Sequence, residues 1–253
     1  GVDGFRCDAA DFVPFDFWKQ AIDSLRAIPH HPLLLLAEGK RKDHFAAGFD
    51  MNYAWDFLEG IRNVFVKDSC VTTLLDIAHA EYDTIPVGKV KLRFITNHDE
   101  MVKMSPVKEF GGERGAMAAF VLSSYLQGGA LIYSSQEVAF PGCVDFFHYC
   151  HVDWNAKNEI RKEYEILMRL YNDYPAIRKG HLEVYPDCNI AAFQKELAQE
   201  RFLVAVNVRN AARTFLLPKE WAGHECIDAC KDTLDVLPDT LCLAPYEYRI
   251  LKY

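Results

Sequence analysis

Apolar residues in the first two thirds of the chain follow two alternating rhythms: short uninterrupted runs, and longer stretches in which they recur every three or four positions. Val2–Phe5 reads as a short strand. Asp16 is then placed to cap a helix through Ile28, because Phe17, Trp18, Ala21, Ile22, Leu25 and Ile28 keep to one face. Leu33-Leu34-Leu35-Leu36-Ala37 is too short for a helix and predicts a strand buried on both faces, as in a parallel sheet. Phe45–Tyr53 predicts a third strand, Leu92–Ile95 a fourth and Ala130–Tyr133 a fifth. Helices are expected near 57–66 and 69–81, over Glu113–Gln127 and over Glu159–Tyr171. Five βα units in series predict an α/β fold with a parallel sheet. Beyond Pro175 the rhythm changes to short runs near 181–185, 189–194, 201–207, 213–217, 225–229 and 246–251, separated by turn residues. That pattern predicts an antiparallel sheet and divides the chain into residues 1–177 and 178–253.

Composition narrows the class. The 253 residues are 50% hydrophobic, ample for a large core, and carry a net charge of -8, which argues against a phosphate-binding surface and a nucleic-acid partner. No apolar run approaches the roughly 20 residues that span a bilayer, so no membrane segment is expected. The chain opens at Gly1-Val2-Asp3 without an initiator methionine, so the natural N-terminus is expected to lie upstream. Eight cysteines, at 7, 70, 143, 150, 188, 226, 230 and 242, form no CxxC pair, and Cys226 and Cys230 lack the second ligand pair that zinc needs. Free, buried thiols are the expectation, which leans towards a reducing compartment and the cytoplasm over the periplasm or secretion.

Three acids follow three of the expected strands. Asp8 ends Gly4-Phe5-Arg6-Cys7-Asp8, Glu38 follows the leucine run, and Asp99 ends Thr96-Asn97-His98-Asp99. In a closed βα barrel the C-terminal strand ends converge on one face, which would bring these acids together. Retaining glycoside cleavage requires such a set: a carboxylate nucleophile and a carboxylic acid about 5–5.5 Å apart. Arg6, two residues before Asp8 on the same strand, would point to the same side and hold Asp8 ionised. Glu38, after an apolar strand, would have its pKa raised by desolvation and by anionic Asp8. Taken singly, each acid has an ordinary explanation as a helix cap or surface charge, and Arg6 as a salt-bridge partner. Three acids at three strand ends of one sheet carry more weight than any one.

The motifs around them resemble the α-amylase family. Its strand-four motif is found at Gly4-Phe5-Arg6-Cys7-Asp8, and its strand-five glutamate at Leu33–Gly39. Its strand-seven motif is matched by Phe94-Ile95-Thr96-Asn97-His98-Asp99, and its strand-eight motif by Ala130–Glu137. The resemblance implies the second part of a (β/α)8 TIM barrel, strands four to eight, followed by an all-β antiparallel C-terminal domain of β-sandwich type. It implies retaining cleavage of α-glucosidic bonds in starch, maltodextrins or related α-glucans, with Asp8 as nucleophile, Glu38 as acid/base and Asp99 as the third acid. Arg6, His98, Asn97 and Tyr53 would bind substrate or orient the acids; Phe49, Tyr53 and Trp55 are equally suited to stacking on sugars and to packing a core. The chemistry requires no cofactor. Where many calcium-dependent relatives carry Lys-His after the nucleophile, this chain has Ala9-Ala10-Asp11-Phe12, so a structural calcium finds no support. Five strands cannot close an eight-stranded barrel. The missing N-terminal barrel half must come in cis or in trans, and the chain alone is not expected to be a competent catalyst. An α-glucan transglycosylase and a non-catalytic carbohydrate-binding homologue are the alternatives.

Overall fold

The computed structural model describes residues 1–28 and 32–253. Its first layer is a parallel sheet of five strands in sequence order: β1 (Gly4–Cys7), β2 (Leu34–Ala37), β3 (Met51–Tyr53), β4 (Val90–Arg93) and β5 (Gly129–Ala130). Between them lie α1 (Phe15–Arg26), α2 (Asp43–Ala47), α3 (Trp55–Val66), α4 (Val71–Tyr82), α5 (His98–Met101), α6 (Pro106–Glu109) and α7 (Glu113–Leu126). These are five successive βα units of a barrel wall, with β1 and β5 as its edges.

Several boundaries differ from the sequence expectation for local reasons. Helix α1 starts after Pro14 and ends at Arg26, so Asp16 sits in its first turn instead of capping it. Trp18 and Ile22 of α1 cover Leu35 and Ala37 of β2. The other face of β2 is not buried as expected: Leu34 is exposed and Leu36 half-buried, because five strands leave the inside of the curved sheet open. The stretch expected as one strand from Phe45 to Tyr53 is helix α2, then Gly48 in a left-handed conformation (φ 114), then β3. Glycine at that C-cap stops the helix without steric cost. Strand β5 is only two residues, since its ladder with β4 ends at the Arg93–Ala130 pair.

Helix α7 is buried from Gly115 to Leu126. A helix that is apolar all round belongs between layers, and α7 lies where the barrel wall meets the second part of the chain. After β5, α8 (Asn158–Asp173) completes the fifth βα unit and α9 (Pro175–Lys179) leads into the second part, which runs β6 (His181–Tyr185), β7 (Ile190–Leu197), β8 (Glu200–Asn207), β9 (Arg213–Leu216), β10 (Glu225–Asp228), β11 (Thr233–Val236), β12 (Thr240–Leu243) and β13 (Tyr248–Lys252). Six of these strands form an antiparallel sheet in the order β11-β10-β13-β8-β7-β6, and β9 pairs with β12. Trp221 sits fully buried in the core between the sheet and this ribbon.

One hydrophobic cluster joins the two parts, running from Phe57 and Ile61 of α3 through Phe120 of α7 to Phe193, Phe202 and Ile250 of the antiparallel sheet. A disulfide, Cys70–Cys188, ties the start of α4 to the β6–β7 turn across 118 residues. This corrects the expectation that all the thiols are free, and removes the compositional ground for a reducing compartment. The two cysteines carry no local pairing signal; only the packing of α4 against the β6–β7 turn brings them together. Among the described residues, no helix is long and apolar enough to cross a membrane.

Candidate active site

Strand pairing sets up the site. Cys7 of β1 lies opposite Ala37 of β2, so the next residue of each strand, Asp8 and Glu38, leaves the sheet side by side. The ladder continues past the strand ends, with Glu38 N–H donating to Cys7 O (2.9 Å) and Ala10 N–H to Glu38 O (2.9 Å). Ala9 takes a left-handed conformation (φ 48) that a residue with a Cβ adopts only under local constraint. In that turn its N–H donates to Glu38 Oε2 at 2.7 Å.

Arg6 spans the two acids, donating through Nη1 to Asp8 Oδ1 and through Nη2 to Glu38 Oε1. Desolvation would lower the pKa of Arg6. Hydrogen bonds to Tyr53 and Asp8 and the charge of Glu38 outweigh it and hold the guanidinium above its ordinary value. The planar fork of arginine suits two neighbouring carboxylates in a way that a point charge does not. Asp8 is open, its side chain 76% exposed, whereas that of Glu38 is 13% exposed. An incoming ligand therefore meets Asp8 directly, while Glu38 is reached only at its rim.

The third acid comes from α5. Asn97 caps this helix, its Oδ1 accepting from Glu100 N–H at 3.0 Å. His98 and Asp99 occupy the first turn, with His98 Nε2 3.5 Å from Asp99 Oδ1. Polar atoms of Glu38, His98 and Asp99 all lie within 4.8 Å of one another. Such spacing also suits a metal; in this structure Glu38 Oε1 accepts a hydrogen bond from Arg6 and Oε2 one from Ala9 N–H. Behind the helix, Glu100 accepts from Arg62 Nη2 (2.5 Å) and Lys103 Nζ (2.8 Å), and Arg62 also reaches Glu109 at 2.7 Å. Asp8, Glu38, Asp99, Arg6 and His98 thus come together. Asn97 is buried beneath them with its Oδ1 engaged in the cap, and Tyr53 is buried against Trp55 and Phe94, behind Arg6. Phe49 is not in the site: it packs in the helix-side core against Trp18 and His44.

Two contributors escape a reading of the sequence. Asp11 accepts from the N–H groups of Lys40 and Arg41 at 3.1 Å and so holds the loop that follows Glu38. Gly39 makes this possible, because a Cβ there would lie 2.4 Å from Asp11 Oδ1. The Arg41 guanidinium fills the same corner, donating to Asp11 O and Val13 O at 3.0 Å. The only signal for Asp11 was its place in the unusual Ala9-Ala10-Asp11 stretch. The second contributor is Phe146, half exposed, whose ring centroid lies 6.1 Å from that of His98. It belongs to the loop spanning 143–154, where Phe147 and Tyr149 are also exposed.

No protein-family model matches the chain. Among curated proteins it is similar to the α-amylase MalA of Haloarcula japonica, 25% identical over 235 residues that cover 89% of this chain and 34% of that protein. Among solved structures, an α-amylase from Lactobacillus plantarum superposes with a TM-score of 0.84 at 22% identity, covering all of this chain and 63% of that one. A noncanonic maltogenic α-amylase, AmyB of Thermotoga neapolitana, gives a TM-score of 0.82 at 22% identity over 100% and 61%. The chain thus spans about a third of the curated relative and less than two thirds of the solved structures. The shared fold is the barrel segment and antiparallel sheet described above.

Proposed function

We infer that this chain belongs to the α-amylase family of glycoside hydrolases and carries the catalytic carboxylates of an enzyme that cleaves α-glucosidic bonds in starch, maltodextrins or related α-glucans. The relatives' names support the α-glucan reading. The observation that carries the assignment is the single guanidinium of Arg6 bridging Asp8 and Glu38, with Asp99 and His98 at the edge of the same cluster.

The proposed reaction is a double displacement. Asp8, the exposed acid, attacks the anomeric carbon as Glu38 delivers a proton to the departing glycosidic oxygen. To do so, Glu38 Oε1 must exchange Arg6 for the leaving group, while Ala9 N–H keeps hold of Oε2. Arg6 then stays on Asp8 alone and orients it. Water, deprotonated by Glu38, releases the sugar from Asp8 with the original anomeric configuration. Asp99 and His98 bind hydroxyls of the reacting sugar and favour its distorted, oxocarbenium-like form. The five-stranded wall needs the remaining barrel strands, in cis or in trans, to enclose the pocket.

The test uses the full-length protein and maltooligosaccharides, with the product anomer followed by NMR. Retained α-anomer that disappears in Asp8→Asn is the expected result. An inverted product, or a wild type inactive on every α-glucan, would overturn the assignment.

A further inference from the structure

The helix-facing side of the parallel sheet carries a feature the active site does not use. Asn52 of β3 and Lys91 of β4 are register partners, and both point outward, where a barrel wall ordinarily presents apolar side chains to its helices. Lys91 is 5% exposed, and its Nζ donates to Asn52 Oδ1 at 2.7 Å. Among the described residues no carboxylate stands within ion-pair distance of this ammonium. Its charge is met at contact only by an amide dipole, and burial pushes the amine down to about 8. Glu81, Asp56 and Asp11 act on it only from a distance, and a buried cation with no contact partner is costly and needs a reason.

Lys91 forms part of the wall of a cavity of about 340 Å³ between the sheet, α2 and α4. That size falls at the lower end of small-molecule sites, which run from about 300 to 1,000 Å³. Two carboxylates also line it, but each has its own partner: Asp56 pairs with Lys40 at 2.6 Å, and Glu81 with Arg93 at 2.5 Å. Lys42, at the same cavity, has no ion-pair partner among the described residues. The cavity therefore holds two cations without a contact ion pair among the described residues, Lys91 deep and Lys42 exposed. Phe45, Ile77 and Ile85 supply apolar walls.

We propose that this cavity binds a compact organic anion, with its oxyanion on Lys91 Nζ and Lys42 and its carbon body against Phe45, Ile77 and Ile85. The site is separate from the carboxylate cluster, which lies at the strand ends. It touches the same loop, however: Asn52 Nδ2 donates to Arg41 O at 3.1 Å, in the segment that Asp11 clamps after Glu38. A carboxylate or a phosphate can supply the oxyanion, and the two are separable by titration.

The experiment is an amide-shift NMR titration of the full-length protein with hexanoate and, separately, with inorganic phosphate. Saturable shifts at Asn52, Lys91 and their neighbours are expected with at least one of them. Tighter hexanoate binding identifies a carboxylate with an aliphatic body, and tighter phosphate binding a phosphate ester. Lys91→Met removes the buried charge while filling its volume, so it is expected to stay folded, with unchanged maltooligosaccharide hydrolysis and anion affinity lowered about tenfold or more. Lys42→Met is expected to weaken binding less. Absence of saturable shifts at these amides with both anions, or wild-type affinity in folded Lys91→Met, would overturn the proposal.

Discussion

Arg6 links two residues that are 30 positions apart in the chain, and its two Nη atoms do different work. One holds the exposed Asp8; the other occupies the oxygen of Glu38 that, in the proposed reaction, the leaving group would need. Arg6→Lys keeps the charge but loses the fork, and an ammonium cannot lie in the plane of both carboxylates. The expected outcome in the full-length enzyme is a kcat lower by about 10²-fold with KM changed far less, because the loss falls on orientation of the reacting groups. A kcat within twofold of wild type would mean that the bridge plays no part in turnover. Asp8 and Glu38 stand out in the sequence because each directly follows a strand, and Asp99 because it closes the Thr96-Asn97-His98-Asp99 motif beyond β4. The sequence could not announce that Arg6 reaches Glu38, that Asp11 clamps the loop after Glu38, or that Asn97 lies buried as a cap. Those facts depend on strand register and on how a loop closes over its neighbour.

At the level of elements, helices α3, α4, α7 and α8 were legible because they are long, α8 through its apolar stripe and α7 through an apolar run too long for a strand. Shorter pieces were not. The Phe45–Tyr53 stretch holds a one-turn helix and a three-residue strand, separated by a glycine turn that periodicity does not resolve. Strand β11 is the edge of its sheet with Leu234 exposed, and β12, though Leu241 and Leu243 alternate into the core, is only four residues long, so neither stands out as a run. The joints between elements were equally hidden. Arg209, buried in the loop after β8, donates to Val64 O at the end of α3, to Ser69 O at 2.6 Å and to Cys188 O at 3.0 Å. It thereby satisfies carbonyls left open by a helix end and by two turns. Lys195 of β7 does the same for Leu126 O at the end of α7, at 3.1 Å. Replacing Arg209 with Met strands several buried carbonyls, and is expected to lower the unfolding free energy by roughly 3 kcal/mol. A shift of the urea midpoint measures this. A midpoint unchanged from wild type would show that water replaces the guanidinium at no cost.

Over the whole molecule, two unlike sheets share one apolar cluster, with α7 buried where they meet, so the barrel segment and the antiparallel sheet support each other. Among the described residues, β1 and β5 are the two edges of the parallel sheet. The bond between Cys70 and Cys188 crosses the same junction, and the covalent ring it closes takes in the loop spanning 143–154 that carries Phe146, Phe147 and Tyr149. Chymotrypsin, which cuts after exposed aromatic residues, should find that loop first. The cut chain has two pieces but remains one molecule: it is expected to run as a single band on a denaturing gel without reductant and as two bands with it. Separation without reductant would show that the bond is not formed. Damage to the most exposed rim of the site would thus leave the severed halves tethered, and a protein judged intact by its mass could already be broken.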